Sequence, residues 1–181
     1  MKQTIRIIGG QFRGKKLHFP SVEGLRPTPD RVRETLFNWL MHDIRDALCL
    51  DAFAGSGALG FEAYSRGAAQ VLLLEQNPSA YQHLQKQVTL FNSPKLNVRN
   101  VDTCKFLEQT KEQFDIVFLD PPFASNYHSV CINRLAHAPL LKTGGLLYIE
   151  SSQEIAMEES IWQQLKSNRA GQIVYSLYMK R

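Results

Sequence analysis

Residues 47–60 read Ala47-Leu48-Cys49-Leu50-Asp51-Ala52-Phe53-Ala54-Gly55-Ser56-Gly57-Ala58-Leu59-Gly60. A short apolar run is followed by a glycine turn and then by a helix-like segment reaching Arg66. The order is strand, turn, helix. Glycines let the backbone turn tightly and approach a ligand, and the start of the helix offers free N–H groups. The spacing G-x-G-x-x-G is weak alone, because many glycine loops match it by chance. Two later stretches give it weight: Val71-Leu72-Leu73-Leu74-Glu75 and Phe118-Leu119-Asp120-Pro121-Pro122-Phe123. The three read together as one site.

Working outward, an alternating pattern surrounds this stretch. Strands are expected at 47–51, 70–75, 95–100, 115–120 and 145–150, and helices at 58–66, 78–91, 103–110 and 127–137. Asn77-Pro78 marks a helix start, and Gly67 and Gly144-Gly145 mark ends. Short apolar strands alternating with helices imply a buried parallel sheet wound on both faces. Upstream, Thr4–Ile8 and Lys15–Phe19 read as a hairpin with basic side chains on one face, turned at Gly9-Gly10 and Gly14. Thr28-Pro29 looks like an N-cap followed by proline, opening an amphipathic helix on Val32, Leu36, Trp39 and Leu40 to about His42. At the tail, 172–178 is a strand. Residues 162–169 either pair with it across Ala170-Gly171 or belong to a helix through 154–168.

The chain of 181 residues is 44% hydrophobic, enough for one domain with a real core. No apolar run approaches the roughly 20 residues that span a bilayer, and the start lacks a secretory core region, so the cytoplasm is expected. Cys49, Cys104 and Cys131 are scattered and form no C-x-x-C pair, which points to free thiols. The histidines show no metal-ligand spacing. Residues 1–33 carry eight basic and two acidic side chains, a net +6, while 34–181 net −2. A basic segment on a near-neutral body suits either a nucleic-acid handle or a merely solvated face.

In an open α/β sheet, ligands bind beyond the carboxyl ends of the strands. Asp51, Glu75, Asp102 and Asp120 all fall there. Glu75, 24 positions after Asp51, is placed to grip a ribose, as in nicotinamide dinucleotide and S-adenosylmethionine (SAM) enzymes alike. A carboxylate at Asp51 sits badly against a pyrophosphate and well beside a cationic amino acid moiety. Asp102 suits either an adenine amine or the N-cap before Thr103. In Asp120-Pro121-Pro122-Phe123, a carboxylate and a carbonyl side by side accept both N–H bonds of an exocyclic amine. Its lone pair then points at a methyl sulfonium. Phe123 can stack on a base taken out of its helix.

The chain resembles class I SAM-dependent amino-methyltransferases, and more closely the RsmD family, whose members methylate the exocyclic N2 of one guanine in 16S ribosomal RNA. The resemblance rests on Arg6-Ile7-Ile8-Gly9-Gly10, Arg13-Gly14-Lys15-Lys16-Leu17, the glycine loop, D-P-P-F and above all residues 26–40, Arg26-Pro27-Thr28-Pro29-Asp30-Arg31-Val32-Arg33-Glu34-Thr35-Leu36-Phe37-Asn38-Trp39-Leu40. It implies a Rossmann-like α/β fold: a mostly parallel seven-stranded sheet with an antiparallel C-terminal strand, preceded by a hairpin extension. Residues 1–26 would form the RNA extension and 27–181 the catalytic core. The resemblance implies catalytic roles for Asp120, Pro121, Pro122 and Phe123. It implies cofactor contacts for Thr28, Asp51, Phe53, Gly55, Ser56, Gly57, Gly60, Glu75, Gln76, Asp102 and Thr103, and RNA contacts for Arg6, Arg13, Lys15, Lys16, Arg26, Arg31 and Arg33. SAM is the expected cofactor, with no metal. The small ribosomal subunit or its 16S rRNA is the expected partner, and a monomer the expected state. A DNA adenine-N6 or cytosine-N4 methyltransferase fits the motifs alone but would need a separate target-recognition domain. An NAD(P) oxidoreductase fits less well, given Asp51 and D-P-P-F, and an intact pocket argues against a non-catalytic RNA-binding module.

Overall fold

A computed structural model of the chain describes residues 3–19, 27–122 and 126–181. Two strands, β1 (Gln3–Arg6) and β2 (Lys16–Phe19), make an antiparallel hairpin with Arg6 opposite Lys16. Then follow α1 (Asp30–Trp39), β3 (Leu48–Asp51), α2 (Ala58–Ser65), β4 (Gln70–Leu74), α3 (Pro78–Phe91), β5 (Leu96–Arg99), α4 (Thr103–Gln109), β6 (Phe114–Leu119), α5 (Tyr127–His137), β7 (Leu141–Ser151), β8 (Trp162–Ala170) and β9 (Ile173–Lys180). The main sheet has seven strands in the order β5-β4-β3-β6-β7-β9-β8. Strands β3 to β7 run parallel, and β9 is antiparallel to both of its neighbours.

The period of two along each central strand feeds two cores. Cys49, Val71, Leu73, Ile116, Phe118 and Tyr148 face the layer made by α1, α2 and α3, which the hairpin residues Ile5, Ile7, Leu17 and Phe19 also join. Leu50, Leu72, Leu74, Val117, Leu119 and Ile149 face α4 and α5. Burial on both faces explains why these strands read as continuous apolar runs rather than as alternation. The chain winds outward from β3 to β5, then restarts at β6 on the other side of β3. That reversal opens a crevice between β3 and β6, the usual ligand position in such sheets.

Two local expectations are corrected and one open alternative is decided. Thr28 is not the N-cap of α1: Pro29 takes that position, with no side-chain cap, and the Thr28 hydroxyl is drawn instead toward two carboxyls. Gly144-Gly145 does not end an element. Phe114 pairs with Leu141 but Ile116 with Leu146, so the glycines lie in a bulge inside one long strand. Of the two readings of the tail, the hairpin holds: residues 162–170 are a strand paired with β9. Lys166 and Arg169 point outward along this edge, which discourages pairing with another chain. Asn77 does cap α3 as its sequence predicts, accepting from the backbone N–H groups of Ser79 at 2.9 Å and Ala80 at 3.1 Å. No helix among the described residues is long and apolar enough to cross a membrane.

Candidate active site

The glycine turn after β3 is shaped by its own chain. Gly57 has φ +79°, and a Cβ there would lie 2.4 Å from the Phe61 ring, so a side chain is excluded on both counts. Asp51, 2% exposed, accepts from the Gly60 N–H at 2.9 Å, tying the strand end to the first turn of α2. Glu75 closes the loop from the other side. Its carboxylate accepts from Gly55 N–H at 2.9 Å and Asn77 N–H at 2.7 Å. Each carboxylate oxygen has a second lone pair, so Glu75 keeps acceptor capacity for a ligand. Beyond β5, Asp102 does cap α4, accepting from Lys105 N–H at 3.0 Å. Its other oxygen accepts from the Tyr127 hydroxyl at 3.2 Å, and the Tyr127 ring lies 5.1 Å from that of Phe53. The cap reading of Asp102 therefore holds.

On the other side of the crevice, Asp120 ends β6, half-buried, with Pro121 buried after it and Pro122 exposed. Phe123 lies outside the described residues, as does Arg26. Among the described residues, the charged groups acting on Asp120 are acids. Burial raises its pKa well above the ordinary range, and the carboxyls of Glu150 and Asp51 raise it further; only the Thr28 hydroxyl opposes this. Asp51 is pushed up to about 7, chiefly by burial, with Glu75 and Glu150 adding to it and the Gly60 N–H opposing. Glu150 and Glu75 are also raised, again mainly by burial. No Lys or Arg among the described residues pairs with Asp51, Glu75, Asp120 or Glu150. Nor is any group of described His, Cys, Asp and Glu side chains arranged to hold a metal. A crevice of acids without a counter-ion suits a cationic, hydroxyl-bearing ligand and repels a pyrophosphate. The donor set fits SAM.

This has a measurable consequence for the ligand-free protein. An acid whose folded-state pKa is raised binds its proton more tightly when folded, so its stabilising share is present at low pH and lost as pH rises through the folded value. For Asp51, the rise from 3.8 to about 7 is worth about 4 kcal/mol across that window, an upper figure because the loop relaxes. Asp51→Asn keeps an acceptor for Gly60 and removes the charge. We expect it to raise the ligand-free Tm by about 5 °C at pH 8, from ~2 kcal/mol of surviving effect, and to give no gain at pH 4. Equal shifts at both pH values in a melting series would show that charge burial is not the cause.

Comparisons with known proteins show the family. A family model described as "Conserved hypothetical protein 95" matches residues 5–179. The ribosomal RNA small subunit methyltransferase D of Escherichia coli K12 is 46% identical over 178 residues, 97% of this chain and 90% of that one. The chain belongs to the ribosomal RNA small subunit methyltransferase D (RsmD) family. A solved Escherichia coli structure superposes with TM-score 0.91 at 45% identity over 99% of both chains. A Thermus thermophilus 16S rRNA N2 G1207 methyltransferase, solved with AdoMet and guanosine, shares the fold: TM-score 0.75 and 22% identity over 100% of this chain and 50% of that one.

In this RsmD-family chain the other expected site residues divide. Phe53 and Gly55 are partly open at the crevice, Gln76 is exposed, and Ser56 and Gly57 are buried in the turn. Thr103 is buried, and its hydroxyl donates to the Ala52 carbonyl, so it braces the loop from beneath. Arg6, Arg13, Lys16 and Arg31 are exposed. Lys15 is only partly so, its ammonium lying 3.9 Å from the Phe91 ring centroid. Arg33 is a correction. It is 1% exposed, donates to Asp30 at 2.5 Å and to the Arg6 carbonyl at 3.0 Å, and faces Glu62 at 3.5 Å. It has no surface to offer RNA. Glu150, Tyr148, Tyr127 and Asn100 are additions that the motifs did not single out. Asn100 stitches β5 to the end of β4 by donating to the Glu75 and Gln76 carbonyls at 2.7 and 3.0 Å. For Glu150 a signal was present: an acid closing the apolar run Leu146-Leu147-Tyr148-Ile149, the same pattern that marked Glu75.

Proposed function

We propose that this protein transfers a methyl group from SAM to the exocyclic N2 amine of a guanine in small-subunit (16S) ribosomal RNA. The observation that carries the reading is Asp120: a carboxyl at the reversal of the sheet, followed by two prolines, in a crevice of acids with which no Lys or Arg among the described residues pairs. The name of the 46% identical relative supports the ribosomal substrate. SAM, when bound, supplies a methyl group made electrophilic by its sulfonium.

The chain does the rest by placement. Asp51 orders the glycine loop and, with Glu150, makes the crevice negative. Glu75 offers lone pairs to the ribose hydroxyls. An exocyclic amine is a poor nucleophile because its lone pair is delocalised into the ring. The Asp120 carboxylate and the Pro121 carbonyl accept its two N–H bonds, which localises the lone pair and aims it. Prolines at 121 and 122 fix the backbone φ so that those carbonyls stay in place. Positioning and electrostatics supply most of the rate. The outward face of the hairpin (Arg6, Lys16) and Arg13 give the RNA phosphates a sequence-independent hold.

The test is nucleoside mass spectrometry. Small subunits lacking their native methylation are incubated with the protein and SAM, then digested. New N2-methylguanosine is expected. In a parallel arm, Arg13→Glu with Lys16→Glu is expected to weaken RNA capture and reduce its salt slope by about two ion equivalents. Methylation on adenine or cytosine, or on DNA alone, would remove the ribosomal guanine reading and keep the chemistry.

A further inference from the structure

Glu150 enters the reaction described above only through its charge, yet its placement is costly. It lies inside β7, 2% exposed. Leu119 of β6 is in register with Ile149, so the next residues, Asp120 just past β6 and Glu150 one short of the end of β7, lie side by side. Across the other edge, Glu150 is in register with Tyr175 of β9. The Tyr148 hydroxyl donates to its Oε1 at 2.9 Å. The Thr28 hydroxyl, ahead of α1, steadies the ionised form of both Glu150 and Asp120, and its single proton can serve only one of them at a time. Among the described residues, the titratable groups facing Asp120 are thus Glu150 on β7 and Asp51 on β3, and Tyr148 of β7 faces both carboxyls of the pair. All are acids. A buried carboxylate without a counter-ion is retained at a penalty, and two side by side do not both ionise easily.

We infer that Glu150 is a positioning residue for methyl transfer, linked to Asp120 through the Thr28 hydroxyl, and that the two carboxyls work as one proton-sharing pair. This rests on the methyltransferase reading. In the ligand-free protein the pair holds one proton between its two carboxyls. A cation entering the crevice favours the fully ionised pair, and that proton leaves. During transfer the amine nitrogen gives its lone pair to the methyl carbon, and the sulfur keeps the electrons of the broken C–S bond. The nitrogen is left with one proton too many. Its N–H bond breaks as an O–H bond forms on Asp120, and the pair again holds one proton. The crevice loses one positive charge and gains one proton, so its net charge is the same before and after.

Both burial and the neighbouring charge of Glu150 raise the Asp120 pKa, and this fixes the signs of the test. Glu150→Gln removes the like charge, so Asp120 ionises more readily. Tyr148→Phe removes the donor that steadies ionised Glu150, so the pair releases its last proton less readily. Two readouts are taken. The first is the pH titration of the 13C-labelled Asp120 carboxyl in the ligand-free protein. The second is the acid limb of the single-turnover transfer rate. Glu150→Gln is expected to move both to lower pH by about one unit or more; Tyr148→Phe is expected to move the acid limb, which follows the fully ionised pair, to higher pH, and the Asp120 carboxyl titration to lower pH, because Glu150 then keeps its proton longer. A merely structural Glu150 would change stability and leave both curves superimposed on wild type, which overturns the proposal. If Glu150→Gln does not fold, an unmoved curve in Tyr148→Phe overturns it alone. If wild type transfers no methyl group, the methyltransferase reading falls, while the carboxyl titration still decides whether the pair shares a proton.

Discussion

Replacing Asp120 by alanine lowers the single-turnover methyl-transfer rate by ~1,000-fold and leaves affinity for S-adenosylhomocysteine within about threefold of wild type; that is the expected result. The argument starts from the amine, which is unreactive until its N–H bonds are held. Asp120 is the acceptor that ends β6 at the crevice, and alanine has none. The Pro121 carbonyl remains and can hold one N–H, so the loss is large but not total. The fold should tolerate the change. Asp120 sits among Asp51 and Glu150, and removing it relieves repulsion in a buried acid cluster. The homocysteine product is the right probe because its sulfur is neutral and does not report the lost charge. Isothermal titration with that product, beside quench-flow transfer to RNA, separates the two effects. Equal losses in both would make Asp120 a wall of the cofactor site rather than the group that orients the amine.

Much of this site was legible because it is local. A strand, a glycine turn and a helix lie within fourteen residues, from Ala47 to Gly60, and the acids close apolar runs that can be read along the chain. The element order followed from periodicity, since strands buried on both faces leave continuous apolar runs. What was not legible is set by contacts distant in sequence. Whether Thr28 caps a helix or turns toward Asp120 depends on the packing of α1 over the ends of β6 and β7. Arg33 reads as a surface charge in a basic segment. Yet it lies three and four positions before Leu36 and Phe37, both fully buried, so the helix places it on the inward face. Its partner Glu62 is 29 residues away, and nothing local announces the pair. The bulge at Gly144-Gly145 shares its glycines with ordinary turns, and only the pairing of β6 with β7 tells them apart.

Glu62→Ala is expected to cost about 3–5 kcal/mol of unfolding free energy, a large share of the 5–15 kcal/mol typical of a domain. Glu62 is fully buried on α2, and both of its oxygens are engaged. Oε2 accepts from Ile8 N–H at 2.8 Å and faces Arg33 at 3.5 Å. Oε1 accepts from Gly9 N–H at 2.8 Å and from Arg66 Nε at 2.7 Å. Alanine therefore orphans two backbone donors and strips a buried guanidinium of an anionic partner, leaving it Asp30 alone. The damage is directional. The segment after β1 is fastened to α2 here and through Ser65, whose carbonyl accepts from Gln11 N–H at 2.7 Å and whose hydroxyl accepts from Phe12 N–H at 2.9 Å. Gly10 permits that approach, since a Cβ on it would lie 1.9 Å from the Ser65 carbonyl oxygen. Losing Glu62 should thus release the basic extension before the sheet. Urea unfolding gives the total, and hydrogen exchange at the amides of Ile8 and Gly9 against those of β3 and β6 gives the order. A loss below about 1 kcal/mol, or equal acceleration of exchange in hairpin and sheet, would mean that apolar packing of Ile5, Ile7, Leu17 and Phe19 holds the extension without the carboxylate. The basic extension and the main sheet would then be coupled by the core rather than by this one buried charge.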